Sequence, residues 1–246
     1  MQTLSVSIIL GDEGRDHLLP AVLMAVAPIA DEFCVVTNAT DGSDDLCRQV
    51  CADLDKPLTL IRREWTNSYA EQRNASLELC TQDWILVLDA DEMMDDGFLA
   101  VWPTLELGVM QGGWFPMYHL VRDPEKPDEM LWHQGPWYPD PHCRLFRRDL
   151  GLRYQRALHE LPCYADGKTW PKKGTAEWPV LPCHQWHFGH ARVGLYEKVA
   201  RRHAEEQAIG MRAPGSHSLR EPLSDCVPWV GSYPQGFSWS DLDARE

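Results

Sequence analysis

No run in this 246-residue chain is both long and apolar enough to cross a bilayer as a helix. The longest, LLPAVLMAVAPIA (18–30), falls short of the ~20 residues a span requires and contains Pro20 and Pro28. The start, MQTLSVSIIL, lacks the basic residues and small-residue cleavage site of a secretory leader and reads as a strand. Eight cysteines are too dilute for a disulfide scaffold, which points to a cytoplasmic protein with reduced thiols. Cys163, Cys183, His184 and His187 include no tight C-x-x-C pair to anchor a structural zinc. Basic residues are also scarce: 23 Lys and Arg face 37 Asp and Glu, for a net charge of −14. That balance argues against nonspecific binding to nucleic acid or to a membrane surface. There is no internal repeat and no low-complexity tract.

What is present is an ordinary globular composition, 44% hydrophobic and 24% charged, on a chain long enough for a sizeable core. The first hundred residues alternate strand and helix. LSVSIIL (4–10), FCVVT (33–37), LTLI (58–61) and WILVL (84–88) read as strands, with helices over about 17–29, 44–53 and 68–80 between them. Ser68 and Glu71 form an S-x-x-E capping box at the start of the last of these helices. Near-continuous apolar strands alternating with helices indicate a parallel sheet covered on both faces.

After residue 110 Trp, Pro, Gly and His become frequent. GGWFPMYHLV (112–121) and HCRLFR (142–147) read as strands, and 191–210 reads as a helix. The division that follows is a catalytic domain over 1–210, with halves at 1–110 and 111–190. A Pro- and Trp-rich tail over 211–246 would then be a lid, an acceptor-binding segment or a coil packed on the body.

In open α/β sheets ligands sit beyond the carboxyl ends of the strands. Asp41 and the Asp89–Asp91 pair fall there. Two carboxylates one residue apart on an extended backbone share a side, and their hard oxygens suit Mg²⁺ or Mn²⁺, which bridge to phosphates. Asp95 and Asp96 suit the capping of a following helix instead. Asn74, on the helical face of Ala70 and Leu77, is a polar residue on an apolar stripe. It must be hydrogen-bonded, either pinning a neighbouring loop or touching a ligand.

The stretch WTNSYAEQRNASLELCTQDWILVLDADE (65–92) resembles the core of family-2 glycosyltransferases of the GT-A fold. IADEFCVV (29–36), RLFRRDLGLRYQRALHE (144–160) and HFG (187–189), with Lys198 and Arg201 beyond it, extend the resemblance over roughly residues 4–205. It implies a Rossmann-like mixed sheet flanked by helices, ending in a C-terminal helix and an irregular tail. The implied reaction moves a sugar from a nucleotide-diphosphate donor, a UDP-sugar first, to an acceptor hydroxyl, with inversion and with Mn²⁺ or Mg²⁺. By resemblance Asp41, Arg73, Asn74, Asp89 and Ala90 would contact the donor, and Asp91 with His187 would hold the metal. Glu160 would be the general base, with Asp140 behind it.

Two departures bear on the nucleotide. Thr37 stands where the family's loop has its first Asp, and Gly11-Asp12-Glu13 replaces Lys-Asn-Glu. The acceptor would be a glycan or lipid-linked sugar. The arginines at 144, 147, 148, 153 and 156, with the basic faces of the 191–210 helix, keep hydroxymethylated DNA as an alternative. Two further alternatives are a non-catalytic nucleotide-sugar-binding module and a haloacid-dehalogenase-like phosphatase. The phosphatase motif wants Thr or Val where Met93 stands.

Overall fold

The computed structural model describes residues 2–12, 18–105, 108–122, 130–133, 138–190 and 226–228. The expected helix at 191–210 and most of the tail lie outside them.

Four strands, β1 (Leu4–Leu10), β2 (Glu32–Thr37), β3 (Leu58–Arg62) and β4 (Trp84–Asp89), pair in parallel in the order β3-β2-β1-β4. Helices α1 (Leu18–Val26), α2 (Ser43–Asp53) and α3 (Tyr69–Leu79) make the crossovers. The mixed α/β sheet flanked by helices is the architecture the sequence called for. β1, β2 and β4 are buried almost throughout, as continuous apolar runs require.

Helix α3 is the exception to apolar burial. Beside Ala70 and Leu77 in the core, its covered residues include Arg73, which reaches the site, Ser76, which meets Ser7 of β1, and Gln72, which donates to the Glu64 carbonyl. Ser68 caps it by accepting from the Glu71 N–H at 3.3 Å. The reciprocal half of the box is not made: the Glu71 carboxylate accepts instead from Thr66 Oγ1 and Arg63.

Beyond β4 a short turn leads into β5 (Glu92–Met94), and α4 (Asp96–Val101) follows, capped by Asp95. The stretch 112–121 is not one strand. Pro116 divides it into β6 (Gly112–Phe115) and β7 (Met117–Arg122), which join different sheets. A proline has no N–H for a ladder, so the chain changes sheet at that residue. β9 (His142–Arg147) runs antiparallel between β4 and β6 and completes a six-stranded sheet. Gly112 is obligatory there, since a Cβ would run into the Trp178 ring and the Leu145 carbonyl.

The second sheet has the order β13-β8-β7-β12-β5, with β8 (Met130–His133), β12 (Gln185–His190) and β13 (Cys226–Pro228). The tail therefore contributes a strand, β13, antiparallel to β8. A hairpin, β10 (Arg153–Gln155) with β11 (Leu161–Cys163), stands apart. The seven cysteines from Cys34 to Cys183 are buried and free of disulfides. Among the described residues no helix is long and apolar enough to cross a membrane.

Candidate active site

Asp89 ends β4, Ala90 and Asp91 form the turn, and Glu92 opens β5, so the acidic step lies where the first sheet hands the chain to the second. Arg73 of α3 reaches Asp89 through two nitrogens, at 2.6 and 2.8 Å, and holds Glu160 through Nε at 2.7 Å. Arg144 of β9 donates to Asp89 at 3.2 Å and to Glu92. Both guanidiniums are almost fully buried, at 4% and 7% side-chain exposure.

Burial alone would raise the Asp89 carboxyl, but Arg73 and then Arg144 outweigh it and hold the group well below the usual carboxylate range. Glu92 is pushed up by burial, with Arg144 pulling the other way. Its partners, Arg144, the Gln185 amide and the Asp89 N–H, are all donors, so the ionised form is the one this geometry serves. Asp89, Asp91, Glu92 and Glu160 together face two guanidiniums. The cluster therefore carries two negative charges beyond what these arginines balance.

Asp91 is buried. Its Oδ2 lies 3.8 Å from His187 Nε2, and the Phe188 N–H donates to its carbonyl. Two ligands at about 2.1 Å from a common ion stand up to about 4.2 Å apart, so the pair fits a divalent cation between its atoms. The other ring nitrogen of His187, Nδ1, is 3.1 Å from His119 Nδ1. His119 Nε2 in turn lies 2.9 Å from Asp140 Oδ2, which His142 Nε2 approaches at 3.2 Å.

The remaining expected residues are placed as follows. Asn74 donates through Nδ2 to the Tyr154 carbonyl and accepts from the Tyr154 N–H, at 2.9 and 2.8 Å. It thus pins β10 to α3, the loop-holding alternative. Asp41 accepts from the Ser43 N–H at 3.0 Å at the start of α2. Thr37, where the family has an aspartate, accepts from the Ala39 N–H at 3.0 Å, and Asp12 accepts from Thr40. A cavity of about 330 Å³ lies at the carboxyl ends of β2 and β3, lined by Thr37, Asn38, Arg62, Arg63, Glu64 and Trp65.

The arginine cluster does not form one surface. Arg144 is buried, Arg147 pairs with Asp149, Arg148 donates to the Gln82 carbonyl, and Arg153 faces Glu78. Nor do Cys163, Cys183, His184 and His187 converge as a metal group among the described residues.

Sequence reasoning passed over three groups: His119, Glu92 and Arg144 as an internal ion partner. Each left a trace. His119 interrupts the apolar strand MYHLV, and Arg144 sits between Cys143 and Leu145 in a strand. A charged or polar residue inside such a run must be compensated, as for Asn74.

Residues 17–102 match the family model Glycosyl transferase family 2. That stretch contains Asp41, Arg73, Asn74, Asp89, Ala90 and Asp91, and leaves Glu160 and His187 outside it. The chain is 27% identical over 201 residues to a TPR repeat-containing protein of Synechococcus elongatus, covering 80% of this chain and 45% of that one. The chain thus spans less than half the length of this relative. Among solved structures it is similar to S. aureus TarS 1–349, at a TM-score of 0.45 and 14% identity, covering 62% of this chain and 50% of that one. The same TarS fragment in complex with UDP gives 0.45 and 13%, with the same coverage, 62% and 50%. A 4-diphosphocytidyl-2C-methyl-D-erythritol synthase from Anaerococcus prevotii gives 0.39 and 13%, covering 61% and 71%.

Proposed function

We propose that this chain is a metal-dependent glycosyltransferase, moving a sugar from a nucleotide-diphosphate donor to an acceptor hydroxyl with inversion. The observation that carries the reading is the Asp89–Ala90–Asp91 step at the end of β4, inside the family match, with Asp89 held by two arginines and Asp91 beside His187. Asp91 and His187 would hold Mn²⁺ or Mg²⁺, which when bound neutralises the diphosphate leaving group.

The chain's own residues supply the rest. Arg73 and Arg144 fix Asp89 in its ionised form and set its orientation toward the donor ribose. Asp41 and the cavity beside Trp65 would receive the nucleoside, with uridine the first base to test. Thr37 meets a loop N–H where an aspartate would meet a base, so this end of the site reads the nucleotide in its own way. Glu160 would accept the proton of the attacking hydroxyl. It is preferred to Asp140, whose Oδ2 lies within hydrogen-bond distance of two imidazoles.

We place the catalytic domain at 1–210 and the enzyme in the cytoplasm, with free thiols. A glycan or lipid-linked sugar is the acceptor this reading favours. The dispersal of the arginines at 144, 147, 148 and 153 weakens the DNA alternative, whose other support, the basic faces of the 191–210 segment, lies outside the described residues.

The test is a donor panel with Mn²⁺, read by thermal shift and by mass spectrometry of transfer or slow donor hydrolysis. A UDP-sugar that stabilises the protein, with the shift abolished by EDTA, is expected. Absence of any shift across the panel would sink the transferase reading. Binding without turnover would favour the non-catalytic module.

A further inference from the structure

His119, Asp140 and His142 come from three places: β7 of the second sheet, the segment before β9, and the first residue of β9 in the first sheet. Their ligating atoms all lie within 4.8 Å of one another. His119 Nε2 and His142 Nε2 converge on the same oxygen, Asp140 Oδ2, at 2.9 and 3.2 Å. Four-coordinate zinc with bonds of about 2.0 Å sets its ligand atoms about 3.3 Å apart, so little movement is needed to admit an ion. His119 is buried while His142 and Asp140 are 38% and 43% exposed, giving the site a fixed wall and an open mouth for a fourth ligand. Asp140 is held at φ +24°, a backbone region that a non-glycine residue seldom occupies, so the surrounding structure fixes its placement. Two imidazoles and one carboxylate suit a borderline-soft transition metal better than Mg²⁺.

The proton positions tie this group to the donor site. A neutral imidazole carries one N–H, and the His119 and His187 Nδ1 atoms are 3.1 Å apart, so one donates and the other accepts. If His187 Nε2 is a metal ligand, its proton is on Nδ1 and is donated to His119. The proton of His119 is then on Nε2, pointing at Asp140, and that nitrogen has no lone pair for a metal. If His119 Nε2 binds an ion, its Nδ1–H donates to His187, whose own proton moves to Nε2 and faces Asp91.

We propose that His119 Nε2, Asp140 Oδ2 and His142 Nε2 form a second, transition-metal site of the zinc type, and that an ion there excludes one on Asp91 and His187. The second half rests on Asp91 and His187 being a metal pair; the first half does not. Filling the second site turns off the first by reversing two tautomers, with no movement of the backbone.

The test uses the full chain stripped with a chelator and reloaded. Zinc affinity is measured by competition against Co²⁺, whose visible bands report four-coordination, and bound metal is counted by elemental analysis. Bound Mn²⁺ is followed through the loss of its free-ion resonance signal. Wild type and Asp91→Asn are expected to take up one Zn²⁺ per chain. His142→Ala is expected to lose more than the ~10–100-fold that removal of an outer partner costs. In wild type Zn²⁺ should return bound Mn²⁺ to solution at a concentration at least ~10-fold below that needed in His142→Ala, where only direct competition at Asp91 and His187 remains. Unchanged zinc affinity in His142→Ala, or its loss in Asp91→Asn alone, overturns the site. Two ions held at once per chain overturn the exclusion. Should His142→Ala melt too low to use, His142→Gln with the cobalt bands decides the same point. If wild type binds no Mn²⁺, the donor-site reading fails while the zinc titration still decides this one.

Discussion

The six-stranded and five-stranded sheets each supply one side of the Asp89–Asp91 step, and they treat its carboxylates in opposite ways. From the first sheet, α3 and β9 bring Arg73 and Arg144, which neutralise Asp89 within a buried ion network. From the second, β12 brings His187 to Asp91, and β7 places His119 behind that imidazole. Glu92 joins the two regions, accepting from Arg144 on one side and from Gln185 of β12 on the other. The difference separates a carboxylate that holds the site together from one left to meet a cation.

The contrast breaks most visibly at Arg73. Arg73→Ala leaves the half-buried Asp89 and Glu160 without this partner, and a loss of about 3 kcal/mol in a denaturant titration is expected. The pH dependence follows from the same contact. Asp89 titrates lower in the folded chain than in the unfolded one. Its contribution is therefore complete above the unfolded value of ~3.9 and is lost as the pH falls from there through the folded value. Arg73→Ala should flatten that acid limb; an unchanged limb would show that Asp89 is not the group responsible.

Asp91→Asn tests the other side. It removes a proposed metal ligand and leaves the Arg73 and Arg144 pairs with Asp89 in place, so transfer should drop by about 10²–10³-fold, on the scale of ~3–4 kcal/mol of transition-state stabilisation. The melting temperature should hold or rise, because the amide costs less to bury than the carboxylate it replaces. A fall in stability like that of Arg73→Ala would erase the distinction between the two carboxylates.

The first sheet was legible because its signals are local. Continuous apolar runs, capping residues and the strand-end rule each act within a few neighbours, so β1 to β4 and the Asp89–Asp91 step could be read directly. The second sheet depends on contacts between distant segments. Pro116 marks a break in the ladder but does not say that β6 and β7 join different sheets, and no spacing rule joins His119 to His142 or His187. Arg144 shows the limit most clearly: within its run of arginines it reads as surface charge, yet β9 inserts beside β4 and carries it inward to Glu92. The Asn74 stripe was visible, but not that both of its bonds run to the Tyr154 backbone.

Asn74→Ala sharpens the boundary between structural and donor-contacting polar groups. Two backbone groups of Tyr154 lose their partners, and a cost of about 1–3 kcal/mol is expected. Donor affinity, measured at a temperature where the variant is folded, should stay within about 3-fold of wild type, a difference of ~0.6 kcal/mol. A larger loss of affinity at unchanged stability would return Asn74 to the donor site.

The smallest effect belongs to Ser68, at the far end of the helix that carries Arg73. Its hydroxyl meets one orphan N–H of α3, at the long distance of 3.3 Å and at an exposed position. Glu71 is engaged with Thr66 and Arg63 and does not return the bond, so the cap is single-sided. Ser68→Ala should therefore cost only about 0.5–1 kcal/mol, the lower part of the range for lost N-caps. Arg73 lies more than one turn along the helix and is fixed by its own ion pairs. Fraying of the first turn should thus leave both the acid limb and Mn²⁺ affinity as in wild type. If either moves with Ser68→Ala, the ion network does not anchor α3, and the placement of Asp89 depends on the helix cap instead.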